Sequence, residues 1–202
     1  MAHAASLPPD DQVQLRLCRR RAGESSEAQL RRLLRPALGA AAAQAPIVRG
    51  SHGRPELAPP HAALRFSLSH CGPWLLCALA TGVQPGVDIE ALRPRPNALA
   101  IAERYFDPQE AAELRALPAA LQEQRFYRAW TAREAVLKAI GRGLAFGLQR
   151  LRIGIDAGDA PRLLALAGDD PAAWQLQALA APAGFVATLA WRGAPRRVVA
   201  VD

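Results

Sequence analysis

Asp88 and Glu90 stand two residues apart in Gly-Val-Asp-Ile-Glu (86–90). On a strand, that spacing turns both carboxylates to one side. Neighbouring carboxylates repel unless a cation lies between them, and a hard ion such as Mg²⁺ takes oxygen ligands of this kind. Glu134 and Lys138 are four apart in a helical pattern and share a face. Lys138 is the one lysine of the chain, against 24 arginines. Arginine would serve equally in a surface ion pair, whereas an ammonium is a compact point charge suited to a phosphate oxygen in a tight site. Ser69 and His70, near the end of Phe-Ser-Leu-Ser-His-Cys-Gly (66–72), offer a hydroxyl and an imidazole to phosphate. Arg54, in Gly-Arg-Pro (53–55), adds a guanidinium in a turn. Taken singly, each has an ordinary explanation: a wetted strand face, an i,i+4 ion pair, a turn histidine, a solvated arginine.

Positioning these residues requires strands and a long helix. Alternation predicts strands over 13–18 and 64–70, and a more buried one over 74–80. Leu30, Leu33, Leu34 and Leu38 recur at helical spacing between Glu27 and Ala43, with Pro36 inside, which predicts a kink or two pieces. Residues 49–60 read as turns and an edge segment, and 93–97 as a Pro-rich loop. Helical patterns follow over Ala98–Tyr105, Pro108–Leu117 and Leu121–Ile140, the last stopped by Gly141 and Gly143. The remainder reads as five strands. The order helix, strands, helices, strands predicts an α+β fold with antiparallel sheets. The coarse pattern occurs twice, joined near Gln84–Gly86, which suggests two similar halves.

The 202 residues, half of them apolar and 21% charged, describe a globular chain. No apolar run is long enough to span a bilayer, and the N-terminus lacks a secretory pattern. Three cysteines with no C-x-x-C argue against a disulfide framework or a zinc site and predict a reducing, cytoplasmic setting. The formal charge of +7 implies an anionic partner. With aromatics at 5% and no basic run interleaved with them, nucleic acid is not that partner.

Order and spacing carry more than the single motifs. The succession F-S-x-S-H-x-G, G-V-D-I-E, R-Y-F-x-x-x-E and F-Y-x-x-W-T-x-R-E-A-x-L-K-x-x-G-x-G-L, within residues 50–155, resembles the long, monomeric class of 4′-phosphopantetheinyl transferases. The resemblance implies transfer of phosphopantetheine from coenzyme A to a serine of an apo acyl or peptidyl carrier protein, with release of adenosine 3′,5′-bisphosphate. By the same resemblance Asp88, Glu90 and Glu134 would hold Mg²⁺, and Lys138 would meet the pyrophosphate. Ser69, His70, Arg54 and, more weakly, Arg31 would contact coenzyme A. Glu110 matches a carboxylate proposed to help deprotonate the serine, with Glu90 as its rival. Arg133 replaces the family's usual lysine before the metal-binding glutamate, Arg54 stands where the family often has lysine, and Cys71 occupies a place where small polar residues are common.

The implied architecture is two α+β halves related by pseudo-twofold symmetry, each with an antiparallel sheet and a long helix. Residues 1–84 would supply nucleotide and phosphate contacts, and residues 85–202 the metal site and catalytic helix. Room for both halves in one chain predicts a monomer. The positive charge suits both a polyanionic coenzyme and an acidic carrier. The competing expectation is a non-catalytic coenzyme A or nucleotide binder that keeps the fold.

Overall fold

The structure is a computed structural model and describes residues 6–50, 52–155, 158 and 160–201. The first half opens with strand β1 (Gln12–Arg19) and helix α1 (Ser26–Leu38). Ser25 caps α1, its Oγ accepting from the Ala28 N–H at 3.2 Å. Pro36 does not break α1. The helix runs to Leu38 and stops at Gly39, where φ is 59°, and a 3₁₀ turn over Gly39–Ala43 follows. Proline in a final turn deletes one bond that the fraying end gives up cheaply, so the break falls at the glycine.

A short hairpin, β2 (Ile47–Arg49) and β3 (Pro55–Leu57), leads to β4 (Leu64–Cys71) and β5 (Trp74–Thr81), antiparallel through the Gly72 turn. The second half begins with β6 (Gly86–Ala91). It continues through α2 (Ala98–Tyr105), α3 (Pro108–Ala116) and the 22-residue α4 (Ala119–Ile140). Strands β7 (Leu151–Ile155), β8 (Pro161–Leu166), β9 (Trp174–Leu179), β10 (Phe185–Arg192) and β11 (Arg197–Ala200) complete it. Among the described residues the result is a mixed α+β fold of several small sheets and four α-helices.

Two sheets matter for the site. One has the order β11-β1-β5-β4 and the other β6-β10-β9. Pairing within them is antiparallel apart from β1 with β11, which is parallel, Gln12 facing Arg197 and Leu15 facing Ala200. The last strand of the chain thus lies in the sheet of the first half. Leu30, Leu33, Leu34 and Leu79 form the core beneath α1, and Val87, Ile89 and Leu189 a second core between the sheets.

The sheets meet along a seam of side chains. Ser67, Ser69 and Cys71 alternate on β4, so all three point at β6. Ser67 Oγ accepts from Val87 N–H (3.1 Å), Ser69 Oγ from Ile89 N–H (3.4 Å) and Cys71 Sγ from Ala91 N–H (3.3 Å). Side-chain acceptors replace the usual backbone ladder and satisfy the β6 donors on that edge.

Candidate active site

Gly86 sets the site by what it lacks. A Cβ there would lie 1.9 Å from the Ala135 carbonyl oxygen and 2.6 Å from the Ala139 nitrogen. The backbone of α4 therefore rests directly on β6, helped by the small buried Ala132, Ala135 and Ala139. This close approach carries Glu134 and Lys138 to Asp88 and Glu90.

Asp88 is the hub. It is 4% exposed, and its Oδ1 accepts from Ser69 Oγ at 2.7 Å and from Lys138 Nζ at 2.7 Å. Its Oδ2 is buried with no partner. Cys71 Sγ donates to Glu90 Oε2 at 3.6 Å, so one strand's hydroxyl and thiol each orient a carboxylate of the other sheet. Burial pushes the Cys71 thiol upward, which keeps its proton available for that contact. Ser69, His70, Asp88, Glu90 and Lys138 line one cleft of about 400 Å³, with Ser26 and Gln29 from α1 at its edge.

The carboxylates strain one another electrostatically. Burial, then the charge of Asp88, pushes the Glu90 carboxyl above its ordinary 4.5; Cys71, Lys138 and Arg93 oppose this. The Glu134 carboxyl is pushed up by burial, Asp88 and Glu90, against Lys138 and Arg133. A folded-state proton affinity above the unfolded one means that ionising Glu134 works against folding as pH rises past 4.5. Glu134→Gln is therefore expected to melt above the parent at pH 8 without divalent cations, by about 2–4 °C if the relief is near 1 kcal/mol. Scanning melts at intervals down to pH 5 should show the gap closing; a gap that widens instead would contradict this electrostatic account.

Not every expected site residue joins the cluster. As the side chains stand, no group of three or more His, Cys, Asp or Glu among the described residues has metal-holding geometry. The cation beside Asp88 is the Lys138 ammonium. Glu110, for which the resemblance implies a role near the reacting serine, does not line the cleft of Asp88. It is 6% exposed, and its Oε2 accepts from Arg133 Nη2 at 2.6 Å and Ile153 N–H at 3.0 Å. Burial pushes its carboxyl up and Arg133 draws it back. It lines a different concavity with Phe106, Leu114, Arg125 and Ile153. Arg31 is engaged by Glu27 and by the carbonyls of Ala42 and Ala45. Arg54 reaches the end of α4, in a hollow it shares with His52, Phe66 and Lys138.

Ser67 has no role in the motifs read from the sequence, and Cys71 stands out there only as a departure from the family's small polar residues; both bind β6. The signal was available in the alternation of Ser67, Ser69 and Cys71, three small hydrogen-bonding side chains on one strand face.

An α+β scaffold that brings carboxylates of β6, the ammonium of α4 and the Ser69 hydroxyl of β4 to one seam defines a class that comparison makes specific. The sequence pattern of the 4′-phosphopantetheinyl transferase superfamily matches residues 84–190, and the chain belongs to that family. It is 35% identical over 166 residues to the 4′-phosphopantetheinyl transferase HetI of Nostoc, covering 81% of this chain and 68% of that one. A Synechocystis relative is 37% identical over 123 residues, 60% of this chain but 50% of its own length. The 4′-phosphopantetheinyl transferase of Bacillus subtilis is 33% identical over 103 residues, half of this chain and 44% of that one. The matched segment thus spans about half the length of several such relatives.

Proposed function

We propose that this protein transfers the 4′-phosphopantetheine group of coenzyme A to a serine of an apo carrier protein, releasing adenosine 3′,5′-bisphosphate. The observation that carries this reading is the convergence of Asp88, Glu90, Glu134 and Lys138 at the seam, in a chain of this family. Asp88, Glu90 and Glu134 would hold Mg²⁺. The partnerless buried Oδ2 of Asp88 and the mutual repulsion of the three carboxylates both suit a cation. When bound, Mg²⁺ would polarise the pyrophosphate and offset the charge that builds on the leaving phosphate.

The chain's own residues supply the rest. Lys138, in the last turn of α4, would turn from Asp88 to the pyrophosphate and meet its oxygens as a point charge. Ser69 fixes Asp88, and the exposed His70 beside it would receive a phosphate of coenzyme A. Glu90, at the cleft edge, can approach an incoming serine hydroxyl, whereas Glu110 is enclosed with Arg133. The +7 chain suits an acidic carrier, and one chain with both halves suits a monomer working in the cytoplasm. Among the described residues no helix is long and apolar enough to cross a membrane.

Intact mass of an apo carrier protein, after incubation with this protein, coenzyme A and Mg²⁺, tests the proposal. A gain of one phosphopantetheine, abolished by EDTA, supports it. No gain across acyl, peptidyl and aryl carriers, with coenzyme A still bound, would favour the non-catalytic binder. Lys138→Arg should keep the melting temperature and lower turnover about 100-fold, since a longer planar cation misplaces its charge by about an ångström or more. Near-parental turnover in that variant would remove the point-charge argument.

A further inference from the structure

Arg54 belongs to the β2–β3 hairpin of the first half, yet its guanidinium ends at the last turn of α4, 84 residues away. Nη1 donates to the carbonyls of Lys138 (3.2 Å) and Ala139 (3.4 Å), two of the groups a helix C-terminus leaves without internal partners. Nη2 donates to Glu56 Oε1 at 2.9 Å, and Arg65 holds the other Glu56 oxygen at 3.6 Å. The guanidinium is thus fixed on one side by its own hairpin and on the other by the helix.

Gly141 adds an independent observation. It ends α4 in the left-handed conformation at φ 80°, and a Cβ there would lie 2.4 Å from Arg54 Nη1 and 2.8 Å from Cζ. The glycine both permits the turn and leaves space for the guanidinium to lie against the helix end. Cation and helix dipole are also correctly matched at this end.

We infer that Arg54 is a positioning residue: a clamp from the first half that fixes the terminal turn of α4 and, through it, the Lys138 ammonium. The inference differs from a direct phosphate contact, which is what resemblance assigns to this position. A lysine could supply a point charge there, but its single ammonium lacks the planar fork that joins Glu56 to two helix carbonyls. Arginine at 54 and lysine at 138 are then complementary choices, a fork for holding backbone and a point for meeting phosphate.

The kinetic arm of the test rests on the transferase reading; the exchange arm does not. Arg54→Ala and Arg54→Lys are compared with the parent by hydrogen exchange of amides 137–141 and by transfer kinetics with coenzyme A as the varied substrate. The clamp predicts about tenfold faster exchange at these amides in both variants, the order expected for lost charged hydrogen bonds. It also predicts kcat lowered about tenfold with KM for coenzyme A within about twofold. Unchanged exchange in Arg54→Ala overturns the clamp whatever the kinetics show. A rise confined to KM, restored by Arg54→Lys, overturns it in favour of phosphate contact. Should the parent transfer nothing to any carrier, the exchange data alone still decide whether Arg54 holds the helix.

Discussion

Asp88→Asn is expected to lower the proposed carrier modification about 1000-fold while the protein stays folded, a loss equivalent to about 4 kcal/mol of transition-state stabilisation. The two oxygens of Asp88 stand in different settings. Oδ1 accepts from Ser69 and Lys138 together, and Oδ2 is enclosed with no partner. Asparagine offers one acceptor where two oxygens stood and turns an N–H₂ either toward the Lys138 ammonium or into the enclosed side. It also removes the charge that draws Lys138 inward and, in the proposed function, makes a metal ligand neutral. The measurement is kcat/KM by carrier mass shift, with circular dichroism confirming the fold. Activity within tenfold of the parent would show that the cluster is not the reacting centre.

Arg133→Met should cost about 3–5 kcal/mol and lower the melting temperature by about 10 °C. Arg133 is fully enclosed, with its cation 3.7 Å from the centre of the Phe106 ring. It donates to Glu110 and also to the carbonyls of Ala129, Leu148 and Leu151. Loss of the guanidinium leaves Glu110 charged, buried and held by one backbone N–H. Removing both charges, as in Glu110→Leu with Arg133→Met, should restore most of the stability, because the penalty lies in the survivor. The same pair decides what Glu110 does. If it fastens α3 to α4, Glu110→Gln lowers the melting temperature and leaves kcat near the parental value. If it takes the serine proton, kcat collapses at an unchanged melting temperature.

Local pattern carried most of the secondary structure. Alternation over 64–70 and the apolar run over 74–80 give the β4–β5 hairpin, and the helical period ending at Gly141 gives α4. The carboxylate spacing in 86–90 and the lone lysine pointed to the seam, where the structure brings Asp88, Glu90, Glu134 and Lys138 together. What pattern could not carry is partnership across the chain. RRVVAV reads as a strand, but nothing in its alternation says that it lies parallel to β1. Arg54 reads as a turn cation because its acceptors are carbonyls of a distant helix, and carbonyls have no sequence signature. Glu110 sits in a recognisable motif, yet its burial with Arg133 depends on how α3 and β7 pack.

The parallel pairing of β11 with β1 has a consequence for biosynthesis. At roughly 5–20 residues per second, a ribosome needs about ten to forty seconds after β1 emerges before it delivers residues 197–200. Through that interval the edge of β1 that β11 will cover, along residues 12–15, has no native strand to pair with. An open edge of this kind is a template for pairing with other nascent chains, and long-range strand closure is intrinsically slow. Arg16 and Arg19 along β1, with Arg20 and Arg21 just beyond it, make that edge a poor match for a second copy of itself. The same arginine-rich strand would thus keep the unfinished chain soluble until its final strand arrives.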